Sequence, residues 1–176
     1  VEVRVYDIDP LKSTHKLEDL FECDYVFVCV PTPMSMDGAQ DLKYIYSVFN
    51  KLKKGPTYII KSTILPGTTN KLKSMYPKLD IVFSPEFLTE RKAKLDMLCQ
   101  ARIILGGLPK LTKKVRKLFE YRFKNRHIIE TDTTTAELVK YMNNCFLATK
   151  VSIINEYKLL ADKIGADSAG ASIPTC

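Results

Sequence analysis

Short strand-like runs separated by longer helical patterns constrain this chain more than any other feature. DYVFVCV at 24–30, TYIIKST at 57–63, LDIVFS at 79–84 and ARIILGG at 101–107 are mostly apolar and rich in β-branched or aromatic residues. RHIIET at 126–131 repeats the pattern, and VEVRVYDI at 1–8 alternates and ends in acidic residues. Helix-like stretches lie near 11–22, 41–53, 67–76 and 109–124. Strand, helix, strand repeated in this way predicts an α/β fold, a mostly parallel sheet with helices on both faces. The unbroken apolar run at 24–30 predicts a strand covered on both sides. Ligands of such sheets bind beyond the carboxyl ends of the strands, so chemistry is expected there.

From about Thr134 the pattern becomes one continuous helical stretch, TTAELVKYMNNCFLATKVSIINEYKLLADKIG. Its apolar residues include Leu138, Val139, Met142, Phe146, Leu147, Val151, Ile154, Leu159 and Leu160. Asp132 or a neighbouring Thr can cap the start, and Gly165 can end it. A helix of about thirty residues is ~45 Å long, more than the width of a small domain. It is therefore expected to bridge to a second domain or a partner subunit. The chain divides into a sheet domain at 1–132, the long helix at 133–166 and a tail at 167–176.

Of the 176 residues, 45% are hydrophobic, enough for a buried core, which excludes a disordered chain. The longest apolar run, Tyr25 to Val30, is far short of the ~20 residues of a membrane helix. No leader-like pattern is recognised in these residues, so neither secretion nor membrane association is expected. Lys and Arg number 27 against 20 Asp and Glu, and the resulting +7 favours anionic partners. The densest basic stretch, Lys110–Arg126, also carries Leu111, Val115, Leu118, Phe119 and Phe123 at helical spacing. Its charges read as the wet face of an amphipathic helix, and no nucleic-acid recognition motif accompanies them. The five cysteines, Cys23, Cys29, Cys99, Cys145 and Cys176, form no CxxC pair. A reduced, cytoplasmic protein fits this better than a disulfide framework. His15 and His127 are far apart and no His or Cys pair has ligand spacing, so no metal site is expected.

Each predicted strand end carries a candidate with two readings. Asp7 stands where a Rossmann sheet holds the adenosine ribose of NAD, and is equally a turn former. Val30-Pro31-Thr32-Pro33 lacks two backbone donors; Thr32 can offer a hydroxyl to a ligand, or the segment is simply a rigid turn. Lys61-Ser62-Thr63, ahead of Gly67-Thr68-Thr69, can serve a phosphate or a water, or Thr68 and Thr69 cap the next helix. Glu86 and Glu90 are four apart and share a face if their turn is helical, with one able to act as a general base. Surface acids are the plain alternative. Lys140 and Asn144 share a face of the long helix that continues through Leu147 and Val151 and so points inward. Buried there, they need a partner, either a ligand oxyanion or a structural carboxylate.

These segments occur together and in one order, and they resemble the UDP-glucose/GDP-mannose dehydrogenase family. The resemblance is carried by VYDIDPLK (5–12), VPTPMSMDGAQDL (30–42), KSTILPGTT (61–69), SPEFLTERKAKLD (84–96), RIILGG (102–107) and TAELVKYMNNCFLATKVSIINE (135–156). It implies oxidation of the C6 alcohol of a nucleotide sugar to a carboxylate, with two NAD and a cysteine thioester. By resemblance, Asp7 binds the adenosine ribose, Lys12 lies near the same end of the cofactor, and Thr32 contacts NAD. Thr63 and Glu90 lie beside the nicotinamide and help position and activate water, with Glu86 in support. Lys140 and Asn144 hold the developing oxyanion at C6. Glu86–Glu90 and Phe146–Ala148 resemble the branch acting on UDP-glucose; UDP-N-acetylmannosamine and GDP-mannose are the alternatives. A homodimer through the long helix is implied as well.

Two parts of the family pattern have no counterpart in these residues. The family begins with a strand and a GxGxxG turn, whereas residue 1 already falls in the second strand. The sheet domain is thus expected to lack its first strand–helix unit. The catalytic cysteine belongs to a GGSCFPKD-like segment, which Ser172–Cys176 does not match. Either the chain is part of a longer enzyme, or it is a truncated, inactive relative that binds nucleotide or pairs through its helix.

Overall fold

The computed structural model describes residues 2–88, 90–99 and 102–166, the Glu90 side chain excepted. Five strands make one sheet in chain order: β1 Tyr25–Val28, β2 Thr57–Ile60, β3 Asp80–Phe83, β4 Arg102–Gly106 and β5 His127–Thr131. The helices are α1 Lys43–Phe49, α2 Thr68–Met75, α3 Ala93–Cys99, α4 Pro109–Arg122 and α5 Thr133–Ile164. The chain forms two units, Val1–Lys140 and Tyr141–Cys176, and α5 contributes to both.

Side-chain alternation along the strands splits the core of the first unit in two. Val26, Val28, Tyr58, Ile60, Ile81, Phe83 and Ile104 pack with Ile45 and Phe49 of α1, Leu72 of α2 and Ala136 of α5. Ile59, Val82, Ile103, Leu105 and Ile128 pack instead with Leu111, Val115 and Phe119 of α4. Each fully buried Ile or Phe contributes roughly 1.5–3 kcal/mol. The helices on both faces and the amphipathic face of α4 are as the sequence predicts.

β1, β2 and β3 run parallel, in a register that places Tyr25 beside Thr57 and Thr57 beside Asp80. β4 then reverses, with Phe83 opposite Gly106, and β5 runs parallel to β4. A parallel crossover needs a helix packed on the sheet. α3, the only α-helix between β3 and β4 among the described residues, buries no side chain, and the chain returns antiparallel. The carboxyl tips that gather a site are therefore those of β1, β2 and β3 alone.

Several expectations are corrected. Residues 2–8 form no strand, because their backbone is committed to a loop: Thr14 and His15 N–H donate to Val5 O at 2.9 and 3.0 Å. The helix expected over 11–22 shrinks to one 3-10 turn, Glu18–Glu22. β1 is covered fully on one face and in part on the other, where Tyr25 packs against the α4 cluster and Phe27, 47% exposed, meets Phe119 edge-on at 6.3 Å. Glu86 lies outside any helix, and the 3-10 turn starts at Glu90, so the two acids do not share a helical face.

The limits of α5 are as expected. Asp132 Oδ1 accepts the Thr135 N–H at 2.9 Å and Oδ2 accepts its hydroxyl at 2.6 Å. Gly165 closes the helix at φ +70°, and Ala166 N–H donates to Ala161 O. In the second unit the face expected to point inward is exposed, with Asn144, Leu147 and Val151 all solvent-facing. No described helix is long and apolar enough to cross a membrane.

Candidate functional site

Parallel strands deliver three loop starts to one edge, and side chains sew them together. Ser62, just after β2, donates its hydroxyl to Val30 O after β1 at 2.7 Å. Thr32 Oγ1 donates to Thr63 O at 2.7 Å, and Gln40 Nε2 donates to the same carbonyl at 2.8 Å. Leu65 N–H donates back to Gln40 Oε1 at 3.0 Å. The hydroxyls of Ser62 and Thr32 are thus spent on the backbone. Thr63 Oγ1 keeps no partner among the described residues, so it is the hydroxyl available to a ligand.

Two lysines reach the third tip. Lys61 Nζ donates to Pro85 O at 3.1 Å, and Lys140 Nζ donates to Glu86 O. The lysines are 9% and 6% exposed, and neither makes a salt bridge among the described residues. Burial pushes the Lys61 pKa down to about 8, against the opposing pull of Glu86 and Cys29. Burial lowers that of Lys140 as well, with Glu86 again opposing. The Lys140 ammonium also lies over the Phe87 ring, 5.6 Å from its centroid. Within the chain its partner is a backbone carbonyl, with the Glu86 carboxylate nearby.

The remaining oxyanion-like feature of this edge is already filled. The helix α2 starts after Gly67, which sits at φ +92°, and its first N–H groups face an anion. That anion is the fully buried Glu137 of α5, which accepts the amides of Gly67 and Thr69 at 2.6 and 2.7 Å. A phosphate at the Thr68–Thr69 helix start is therefore excluded by the protein's own carboxylate. Thr69 Oγ1 and Ser84 Oγ are buried without a hydrogen bond among the described residues.

The structure brings Thr32, Thr63, Glu86 and Lys140 to one edge. Asp7 and Lys12 are exposed on the amino-terminal loop, where Asp7 lines a surface hollow with Ser13, Lys16 and Lys51. Asp7 Oδ1 accepts the Asp9 N–H at 2.9 Å, while Oδ2 has no partner among the described residues. Lys12 pairs with Asp9 at 3.4 Å. Asn144 is exposed in the second unit, and the Glu90 side chain lies outside the described residues. Among the described residues no three His, Cys, Asp or Glu side chains group as metal ligands. The sequence patterns single out neither Gln40 nor Glu137, and they show Lys61 only as part of the 61–63 strand end. For Glu137 a signal existed: it adjoins Ala136 and precedes Lys140 by three, on a stripe that must be buried.

A mostly parallel sheet that brings the loops after β1, β2 and β3 to one edge fits a Rossmann-like dehydrogenase domain that holds NAD. Residues 4–123 match the NAD binding domain of the UDP-glucose/GDP-mannose dehydrogenase family, and residues 134–172 match its central domain. The chain belongs to that family. It is 38% identical over 160 residues to a UDP-glucose 6-dehydrogenase of Rickettsia bellii, covering 85% of this chain and 37% of the relative. The solved UDP-D-ManNAc dehydrogenase of Pyrococcus horikoshii superposes with a TM-score of 0.77 at 32% identity, covering 91% of this chain and 41% of that one. A GDP-mannose dehydrogenase from Pseudomonas aeruginosa gives 0.76 at 27%, covering 88% and 39%. The chain thus spans about two fifths of each of these relatives.

Proposed function

We propose that this chain supplies the NAD side and the oxyanion-binding helix start of a cytoplasmic nucleotide-sugar dehydrogenase that oxidises UDP-glucose to UDP-glucuronate. The observation that carries this reading is the convergence of Thr63, Glu86 and the buried Lys140 on the tips of β2 and β3. NAD, when bound, supplies the hydride acceptor. Asp7 accepts hydrogen bonds from the ribose hydroxyls through its unpartnered oxygen. Thr63 Oγ1 orients a water or the cofactor edge, and Glu90 takes the proton released as that water attacks, with Glu86 in support.

Lys140 has the one property an oxyanion hole needs, a preorganised cation kept out of bulk solvent. The family resemblance gives Asn144 the same role. The full reaction removes two hydrides from C6 and adds one water oxygen. It needs a nucleophilic cysteine, which the resemblance puts in a GGSCFPKD-like segment that these residues do not match, so it is proposed of the whole protein. The exposed apolar residues of the second unit, Phe146, Leu147, Val151, Tyr157 and Leu160 among them, support pairing of two copies along α5.

The test is NADH formation by the protein made from its complete gene, offered UDP-glucose, UDP-N-acetylmannosamine or GDP-mannose. NADH from UDP-glucose well above the other two supports the reading. NAD binding with no turnover of any nucleotide sugar would favour the inactive, nucleotide-binding relative instead.

A further inference from the structure

We propose that Gln40 is a positioning residue that sets the place of Thr63 at the β2 tip. The inference rests on the reading of Thr63 as part of the dinucleotide site. Gln40 closes a small loop that begins at Pro33. Met34 and Gln40 form an antiparallel bridge, Ser35 N–H donates to Ala39 O at 2.8 Å, and Asp41 N–H donates to Pro33 O at 2.8 Å. Gly38 supplies the positive φ, +82°, that the turn of this loop requires. Ser35 Oγ and Ala39 N–H both donate to Asp37 Oδ1, stiffening it further.

From this stiff loop the Gln40 carboxamide pairs with the backbone across 63–65 as another peptide group would. Its N–H donates to Thr63 O, and its oxygen accepts the Leu65 N–H. A carbonyl on one side and an N–H on the other fix which end of the amide faces which. Thr32 approaches the same carbonyl from the β1 tip, so Thr63 O takes two donors from two different points of the 32–40 segment. The Thr63 peptide cannot rotate without breaking the two bonds to its carbonyl, and the following peptide is held by a third through the Leu65 N–H. Its unpartnered hydroxyl is thereby aimed, although Gln40 touches no part of the ligand.

The chemistry of the amide makes the idea separable from mere packing. Gln40→Glu keeps the shape, but at neutral pH its carboxylate turns an acceptor towards Thr63 O, and the two oxygens repel. Protonation restores a donor, so the acid form again matches the native pattern. NAD binding is measured by calorimetry on wild type, Gln40→Ala and Gln40→Glu from pH 4.5 to 8, with amide hydrogen exchange across 62–66 at each pH. The expected result is about tenfold weaker NAD binding by both variants at pH 7.5 relative to wild type. At the acid end Gln40→Glu recovers to wild type while Gln40→Ala does not. Wild-type affinity in both variants at pH 7.5, or a Gln40→Glu deficit that ignores pH, overturns the proposal. If wild type binds no NAD at all, the dinucleotide reading fails by itself. Exchange at Leu65 then decides the positioning role: faster exchange in Gln40→Ala, with acid rescue in Gln40→Glu, upholds it, and unchanged exchange overturns it.

Discussion

Glu137 accepts the backbone N–H of Gly67 at 2.6 Å across seventy residues of sequence, and its second oxygen takes Thr69 N–H at 2.7 Å. A charged side chain with no solvent exposure is tolerated here because both its oxygens meet helix-start amides. Through this contact α5 fixes the loop after β2, and three residues later Lys140 fixes the loop after β3. Replacing Glu137 by Ala strands two buried N–H groups. The expected loss is about 3 kcal/mol in urea unfolding. Glu137→Gln should lose nearly as much, since one of its two ends must then offer a donor to a donor. A Gln variant as stable as wild type would mean that the contact is not an anion's.

Gly106 allows α5 to start against β4. A Cβ there would meet Ala136 Cβ at 2.6 Å, and Asp132 O and Thr133 Cα at 3.0 Å each. Gly106→Ala should therefore cost about 1–3 kcal/mol, the usual penalty of overpacking. Ala136→Gly in the same chain removes the worst contact but not the two backbone ones. Partial rescue in the double variant is the expected outcome; full rescue would show that the backbone of α5 gives way easily.

Lys140 carries the sharpest functional prediction. In the whole protein Lys140→Ala should lower turnover roughly 10²–10³-fold, as loss of an oxyanion donor does. NAD affinity should fall far less. Equal losses in the two would assign Lys140 to holding the Glu86 turn through its carbonyl, and not to the reacting oxygen.

Asp7 is expected to act on the cofactor alone. Asp7→Ala removes an exposed carboxylate whose Oδ2 is unpartnered, so the fold should be little affected. The NAD requirement should rise roughly ten- to hundredfold, the value of a charged hydrogen bond to a hydroxyl. The sugar requirement should stay nearly constant, and a reversed pattern would remove Asp7 from the ribose.

The sequence discloses those parts of the molecule that rest on local pattern. The five strands at 24–30, 57–63, 79–84, 101–107 and 126–131 are found because each is a short apolar run between turn formers. Asp132 and Gly165 mark the ends of α5 because capping is a property of one residue and its near neighbours. Residues 2–8 mislead because alternation permits a strand but only a ladder partner makes one. The reversal at β4 is invisible for a similar reason, since Arg102–Gly106 reads alike in either direction. Thr32 is read correctly as sitting at a strand tip, but its hydroxyl goes to Thr63 O, a partner thirty-one residues away. Gln40 and Glu137 were missed because polar side chains that replace backbone partners leave no mark in hydropathy.

Lys61 ties stability to pH with a sign opposite to that of a paired lysine. Burial holds its pKa near 8, against an ordinary value of 10.5. Between these values the unfolded chain binds the proton and the folded chain does not, so stability rises with pH through the window. Below about pH 8 both states carry the charge, and the full cost of burying it is present. The span of 2.5 pKa units corresponds to at most about 3 kcal/mol. Three groups face Lys61: Glu86 and Cys29 draw its pKa up, and Lys140 pushes it down. Lys140 has its own lowered pKa and adds to the rise, whereas Cys29, raised by burial, works against it above its ordinary 9.0. The difference between wild type and Lys61→Met removes those shared contributions. Urea unfolding of both from pH 7 to 10 should show wild type gaining up to that amount on the variant. Parallel curves would mean that Lys61 keeps an ordinary pKa, and that water reaches its ammonium beside Pro85.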